Sequence, residues 1–207
     1  AGEVWRVITT FLGVIVMVFA LTVILLLIQY SVAGAIAHRN PLTMLKTLMP
    51  AYVTALGTSS SAATIPVTLR QTIASGCSEA VASFVIPLCA TIHLAGSTLK
   101  ITCFSLAVMI LYGMPIHAGT MVGFIMLLGI MMVAAPGVPG GAIMTATALL
   151  TSQLGFNEAQ VGLMIATYIA IDSFGTATNV TGDAAIAHVV DTLTGNRKRG
   201  GAAVEVA

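Results

Sequence analysis

The sequence predicts an all-α polytopic membrane protein, with three transmembrane helices and two re-entrant helical hairpins. Three observations carry that prediction. Of 207 residues, 57% are hydrophobic and only 7% are charged, whereas a soluble domain carries about 25% charged residues. Several apolar runs exceed the roughly 20 residues needed to cross a bilayer. Two further apolar runs are interrupted at mid-length by Gly, Ser and Pro. The net charge of +1, without any long basic run, gives no sign of a nucleic-acid partner. Cys77, Cys89 and Cys103 lack metal-ligand spacing, and their odd number argues for free thiols. No short apolar leader with a cleavage site opens the sequence, and residues 1–207 are expected to be the C-terminal portion of a longer chain.

Val7–Ala37 is 31 residues without a charge. Trp5 and Arg6 precede it and His38 and Arg39 follow, which suits the two membrane interfaces. Residues 1–40 are therefore a tilted transmembrane helix leading into a core at 41–194. Leu42–Leu69 is apolar at both ends, but its middle reads GTSSSAATIP (Gly57–Pro66). Broken backbone at that depth is tolerated only when buried in protein or facing a watery cavity, so residues 41–74 are predicted to enter the membrane and return. Residues 80–113 are long enough to span, although PLCATIHLAGSTLK (Pro87–Lys100) places His93 and Lys100 deep inside. The broken pattern recurs at APGVPGGA (Ala135–Ala142), giving a second re-entrant hairpin over 117–155. Residues 158–190 form the last span and 195–207 a cytoplasmic tail.

The basic residues agree with this topology. Arg39, Lys46 and Arg70 fall on the side where Arg197, Lys198 and Arg199 follow the final helix. With both hairpins re-entrant, all six share the cytoplasmic side of a plasma (inner) membrane. Two interrupted segments, each paired with a span, also match the inverted-repeat layout of secondary transporters.

The last span is unusually polar. At 100° per residue, Tyr168, Asp172, Gly175, Thr176, Asn179 and Asp183 form one stripe, opposite Ile169, Phe174 and Val180. Ionised carboxylates are costly in lipid, so the stripe must face protein, water or a cation. Two carboxylates satisfied by neighbouring helices would be the purely structural reading. Intramembrane aspartyl proteolysis needs two carboxylates close enough to share a proton, but eleven residues of helix separate these by about 16 Å. The chain is therefore read as a non-enzyme. The hairpin tips offer free backbone N–H and C=O groups at mid-membrane, suited to an anionic group and a small cation respectively.

Four segments in order then resemble the signature motifs of the dicarboxylate/amino acid:cation symporters, the family of the glutamate and neutral amino acid transporters. They are TALGTSSSAATIPVT, PLCATIHLAGST, APGVPGGAIMTATALLTSQLG and FGTATNVTGD. The resemblance covers residues 5–192. It implies the sixth helix, first hairpin, seventh helix, second hairpin and eighth helix of a transport domain that moves by an elevator mechanism within a homotrimer.

By resemblance, Ser60, Ser61 and Asn179 would receive a substrate α-carboxylate. Asp172 and the Val138 carbonyl would receive its α-ammonium, with Thr176 and Ser97 alongside. Asp183 with the carbonyls of Cys89, His93 and Asn179 would hold one sodium ion. Thr91 with the carbonyls of Met132, Val133 and Ala135 would hold another. Protons in place of sodium are the alternative coupling ion.

Departures from the family pattern matter as much. The family's NMDGT is HLAGS here, so His93 and Ala95 remove side chains of a third sodium site. Gly175 stands where acidic amino acid carriers have an Arg that pairs with the substrate's second carboxylate. Lys100 stands near that missing Arg. It could fill the space, neutralise Asp172, replace a lost cation, or snorkel to the interface. His93 could titrate or be a satisfied core histidine, while His117 and His188 receive no role. The expected function is cation-coupled symport of a non-acidic α-amino acid, because Asp172 is kept and the Arg is not. A dicarboxylate carrier with Lys100 as counter-charge is the runner-up. An anion channel or a non-transporting membrane sensor is the reading from another class.

Overall fold

The computed structural model describes residues 2–195 of the chain. The predicted tail with Arg197, Lys198 and Arg199 lies outside them, as do the side chains of Trp5 and Arg6. Among the described residues all regular structure is helical, in ten helices. α1 (Gly2–Ala37) is the long apolar helix expected at the start. Few residues of its apolar stretch are buried, 17% against 61% for the α5–α6 segment, so most of its surface is free to meet lipid. Arg39 closes this corner by donating to the carbonyls of Ser75 (2.8 Å) and Gly76 (3.0 Å).

α2 (Pro41–Thr47) is capped by Asn40, and α3 (Met49–Thr58) follows after Leu48. The chain breaks at Ser59, whose φ of 49° is left-handed, and at Ser60, the extended N-cap of α4 (Ser61–Ala74). The break falls on the serines. Gly57 and Pro66 lie inside helices, contrary to the expectation that the whole Gly57–Pro66 stretch interrupts the run. α3 and α4 pack against each other.

α5 (Glu79–Ile92) and α6 (Ala95–Leu111) together make a stretch long and apolar enough to cross a membrane, interrupted at His93–Leu94. α7 (Ala118–Met132) and α8 (Gly141–Leu154) pack against each other across the 133–140 break. Pro136 and Pro139 cannot donate to a helical ladder. A Cβ at Gly141 would stand 2.3 Å from the Pro136 carbonyl oxygen, so the tight turn into α8 requires glycine there. α9 (Glu158–Ala170) opens with an Asn157/Gln160 capping box.

The last span differs from the prediction. α9 and α10 (Asp172–Leu193) meet at 63° across Ile171 rather than running as one helix. Tyr168 therefore belongs to a separate helix, and the single stripe is split. At this break the Ile171 carbonyl accepts from the Phe174 N–H at 3.3 Å and from Lys100 Nζ at 3.1 Å, so a distant side chain meets the backbone there.

α10 is the axis of the molecule and packs against α1, α3, α4, α5 and α6. Its polar stripe has no exposed apolar opposite face, since Val180 is buried and Phe174 half-buried. One apolar cluster joins α6–α9 around Phe104, Phe124 and Leu128. A second joins α1, α2, α3 and α10 around Tyr30 and Leu48. The buried half of α10 therefore lies where polar side chains can be held only by other polar groups.

Candidate functional site

The two tips meet over α10. Ser60 caps α4, accepting from the Ala63 N–H (3.2 Å) while its hydroxyl donates to the Gly137 carbonyl (2.9 Å). The Ala62 N–H donates to that same carbonyl at 3.1 Å. Gly137 has no room for a side chain, because a Cβ would lie 2.5 Å from the Ala90 carbonyl oxygen. Beneath this contact is a cavity of about 10 Å³, the size of one water. Ser61, Ser97, Tyr168, Asp172, Thr176 and Asn179 line it, with Gly137 and Val138 on the lid side. Of the residues the sequence singled out, Ser61, Ser97, Val138, Asp172, Thr176 and Asn179 share this lining, Ser60, Lys100 and Gly175 do not, and Tyr168 reaches it from α9.

Asp172 is the charged group of this chamber and both its oxygens are engaged. Oδ1 accepts from Lys100 Nζ at 3.2 Å, and Oδ2 accepts from the Gly140 N–H of the second tip at 2.8 Å. Lys100 is 0% exposed. Its ammonium also stands 3.6 Å over the Tyr168 ring centre, a favourable cation–π placement. This rules out the snorkelling reading, since the head group goes inward. A Cβ on Gly175 would lie 3.1 Å from Lys100 Nζ, so the lysine does fill the space opened by that glycine.

Asn179 has a use that the sequence did not show. Its Oδ1 accepts from the N–H groups of Gly96 (2.8 Å) and Ser97 (3.4 Å), and its Nδ2 donates to Ser97 Oγ (3.0 Å). It caps α6 from another helix, satisfying the donors that the first turn leaves free. Its side chain is thus tied to the α6 N-terminus, not held out toward a carboxylate. Thr176 donates to the Asp172 carbonyl at 3.2 Å, within its own helix.

A second polar centre lies around Asp183, 1% exposed. His93 Nδ1 is 2.8 Å from Asp183 Oδ1. Among the described residues, Oδ2 has no hydrogen-bond partner. Gln29 of α1, which sequence reasoning missed, brings Nε2 to 3.2 Å from His93 Nε2. Its only signal was an amide inside a span without charges. The Cys89 carbonyl accepts from the His93 N–H at 2.9 Å. A buried carboxylate with one acceptor oxygen to spare fits a small cation, because an unpaired buried acceptor is costly. The other expected cation residues are dispersed by exposure: Met132 and Ala135 are buried, while Thr91 and Val133 are exposed. The Thr91 hydroxyl donates to the Leu88 carbonyl (3.0 Å) and the Met132 carbonyl accepts from the Ala135 N–H (3.1 Å).

Helix breaks facing each other around buried, paired charges, among helices long and apolar enough to cross a membrane, mark an integral membrane protein. Comparison with known proteins makes the assignment specific. The model of the sodium:dicarboxylate symporter family matches residues 1–193, and the chain belongs to that family. It is similar to excitatory amino acid transporter 4 of Mus musculus, 30% identical over 159 residues, which is 76% of this chain and 28% of that protein. Excitatory amino acid transporter 2 of Homo sapiens is 30% identical over 156 residues, 75% of this chain and 27% of its own length. Excitatory amino acid transporter 1 of Homo sapiens is 30% identical over 159 residues, 76% and 29% respectively. The matched stretch is thus under a third of the length of these relatives.

Proposed function

We propose that the chain binds a small α-amino acid with a non-acidic side chain, together with a coupling cation, as the substrate-holding part of a secondary symporter. The observation that carries this is the place of Lys100. It sits behind Asp172, bonded to Oδ1 and to the Ile171 carbonyl, and does not line the cavity. Its charge is already used on Asp172, leaving a chamber of net charge zero. A zwitterion brings no net charge into such a chamber, whereas a dicarboxylate brings two negative charges without a free cationic partner. The α-ammonium would take the place of the Gly140 N–H on Asp172 Oδ2. The α-carboxylate would be met by the serines of the first tip, with Ser61 already in the lining.

Sodium is the coupling ion this reading assigns, with Asp183 and the carbonyls of Cys89, His93 and Asn179 as one site. Thr91 with the carbonyls of Met132, Val133 and Ala135 is the second. Bound there, sodium would supply positive charge that ties tip and helix positions to solute occupancy. The reading also has the two broken segments entering and leaving on one side of the plasma membrane. The domain moves by an elevator mechanism against a scaffold in a homotrimer.

One observation favours a second reading. Lys100 occupies the space next to Gly175, and the relatives are named as carriers of excitatory amino acids. An acidic substrate could therefore recruit the Lys100 ammonium. Thermal unfolding of the detergent-purified protein against a panel of neutral amino acids, acidic amino acids and dicarboxylates, with and without sodium, separates the two. Sodium-dependent stabilisation by neutral amino acids alone is expected. Stabilisation by acidic solutes that survives in Lys100→Arg and is lost in Lys100→Gln would establish the second reading.

A further inference from the structure

Among the described residues, the buried polar atoms without a hydrogen-bond partner include two oxygens beside one imidazole ring. Asp183 Oδ2 is one, and Gln29 Oε1 is the other. The His93 ring joins their side chains, with Nδ1 on Asp183 Oδ1 at 2.8 Å and Nε2 facing Gln29 Nε2 at 3.2 Å. The Gln29 amide lies directly on α10. A Cβ at Gly182 would stand 2.7 Å from Gln29 Oε1 and 2.6 Å from His93 Cε1. Gly182 immediately precedes Asp183, so the absence of a side chain there is what lets the amide and the ring approach the carboxylate's own helix turn.

The setting of Gln29 is also unusual. It is the one polar residue lining an apolar groove of about 270 Å³ formed with Ile28, Val32, Ala185, Ile186 and Val189. An amide in such surroundings is costly unless its atoms are engaged. His93 engages the nitrogen and leaves the oxygen. A packing role would be served by leucine, and a role in orienting His93 would need one amide atom.

We propose that Gln29 belongs to the cation centre of Asp183 and contributes its amide oxygen to a monovalent alkali cation bound there, so that α1 takes part in cation recognition. This rests on the cation-coupled reading but not on which solute is carried. Hard cations of this kind prefer neutral carbonyl and amide oxygens beside a single carboxylate. His93 holds Asp183 Oδ1 from one side while the cation takes Oδ2. The consequence is that a helix with most of its surface free to meet lipid is linked to cation occupancy through one side chain.

The test is sodium and lithium titration of the purified protein, read as thermal stabilisation, for the wild type, Asp183→Asn, Gln29→Leu and Gln29→Glu. Sodium is expected to stabilise the wild type and not Asp183→Asn. Gln29→Leu is expected to raise the half-saturating sodium concentration by at least about tenfold, the scale of supporting-residue effects at metal sites, and to change the sodium-to-lithium preference. Gln29→Glu is expected to lower that concentration or change that preference. Since Gln29→Leu could lose His93 alignment and fail to fold, Gln29→Glu carries the test in that case. Half-saturation and ion preference within twofold of wild type in the folded variants would overturn the proposal and leave cation coupling standing. A wild type indifferent to sodium and lithium would overturn both.

Discussion

Asp172 and Asp183 stand eleven residues apart on α10, and each meets a basic side chain from the α5–α6 segment. Yet their environments differ in kind. Asp172 has both oxygens used, one by Lys100 and one by the Gly140 N–H. Asp183 has one used by His93 and one without a partner among the described residues. Lys100 brings a full ammonium that also meets a carbonyl and an aromatic face, so the first centre is closed in charge and in hydrogen bonds. The second centre retains acceptor capacity. The comparison teaches that one residue type on one helix can be held in two ways, with both oxygens engaged at Asp172 and one oxygen without a partner among the described residues at Asp183.

Breaking the closed centre should have the largest effect. Lys100→Met leaves Asp172 charged and buried with only a neutral donor, a change that costs about 3–5 kcal/mol in comparable buried pairs. Adding Asp172→Asn to it should recover most of that loss, because no uncompensated charge remains. Thermal or denaturant unfolding of the single and double variants measures this. A single variant as stable as wild type would show that Lys100 is not the main partner of Asp172.

Next in size is Gly175→Arg, which restores the Arg that the resemblance assigns to this position. The new Cβ lies 3.1 Å from Lys100 Nζ and 3.2 Å from Cε, so the lysine must leave Asp172. Overpacking of this kind costs about 1–3 kcal/mol, and the two cations add to it. The cost should largely vanish when Lys100→Met is introduced with it, since the guanidinium then has the space alone. Equal costs in both backgrounds, by unfolding, would mean that the two positions do not share that space.

How much of this was legible in the residues divides along the same line. Long apolar runs predicted α1 and the α5–α6 segment because bilayer thickness sets their length. The serines at 59–61 and the Gly- and Pro-rich run at 135–142 predicted helix breaks there because the signal is local. The breaks at Ile171 and His93–Leu94 were not predicted. Neither carries a Gly or Pro, and each is met by a distant group: Lys100 Nζ bonds the Ile171 carbonyl, and Asn179 caps α6 through Gly96 and Ser97. For the same reason the pairing of Lys100 could only be given as alternatives. Gln29 was passed over because one amide in an apolar run leaves no periodic trace.

Gly182→Ala probes the open centre by a smaller step. Its methyl would meet His93 Cε1 and Gln29 Oε1 at 2.6 and 2.7 Å, forcing the ring or the amide aside at about 1–2 kcal/mol. At saturating sodium the solute-side chamber should keep its affinity for amino acids, whereas sodium half-saturation measured without solute should rise. Equal shifts in both, in a titration of each ligand, would mean that the two centres are not separable in this way.

A third buried carboxylate completes the series and gives the smallest expected effect. Asp191 accepts from the Ser78 N–H at 3.1 Å and from the Ser78 hydroxyl, so neutral donors satisfy it. Next to it, outside the membrane-spanning stretches, burial and then the Asp191 charge push the Cys77 thiol from about 9 up to about 12. The thiolate is the reactive form, so Cys77 should resist maleimide at pH 7–8 while the protein is folded and react on unfolding. In linkage terms the unfolded thiol ionises first, hence the folded state binds the extra proton between about pH 9 and 12. Stability should therefore fall as pH rises through that window. Asp191→Asn should bring the onset of labelling to lower pH without changing sodium or amino acid binding, because this carboxylate has no spare oxygen to offer. A change in sodium half-saturation on that substitution would show that satisfied and unsatisfied carboxylates on α10 are not independent, and the contrast between the first two centres would lose its basis.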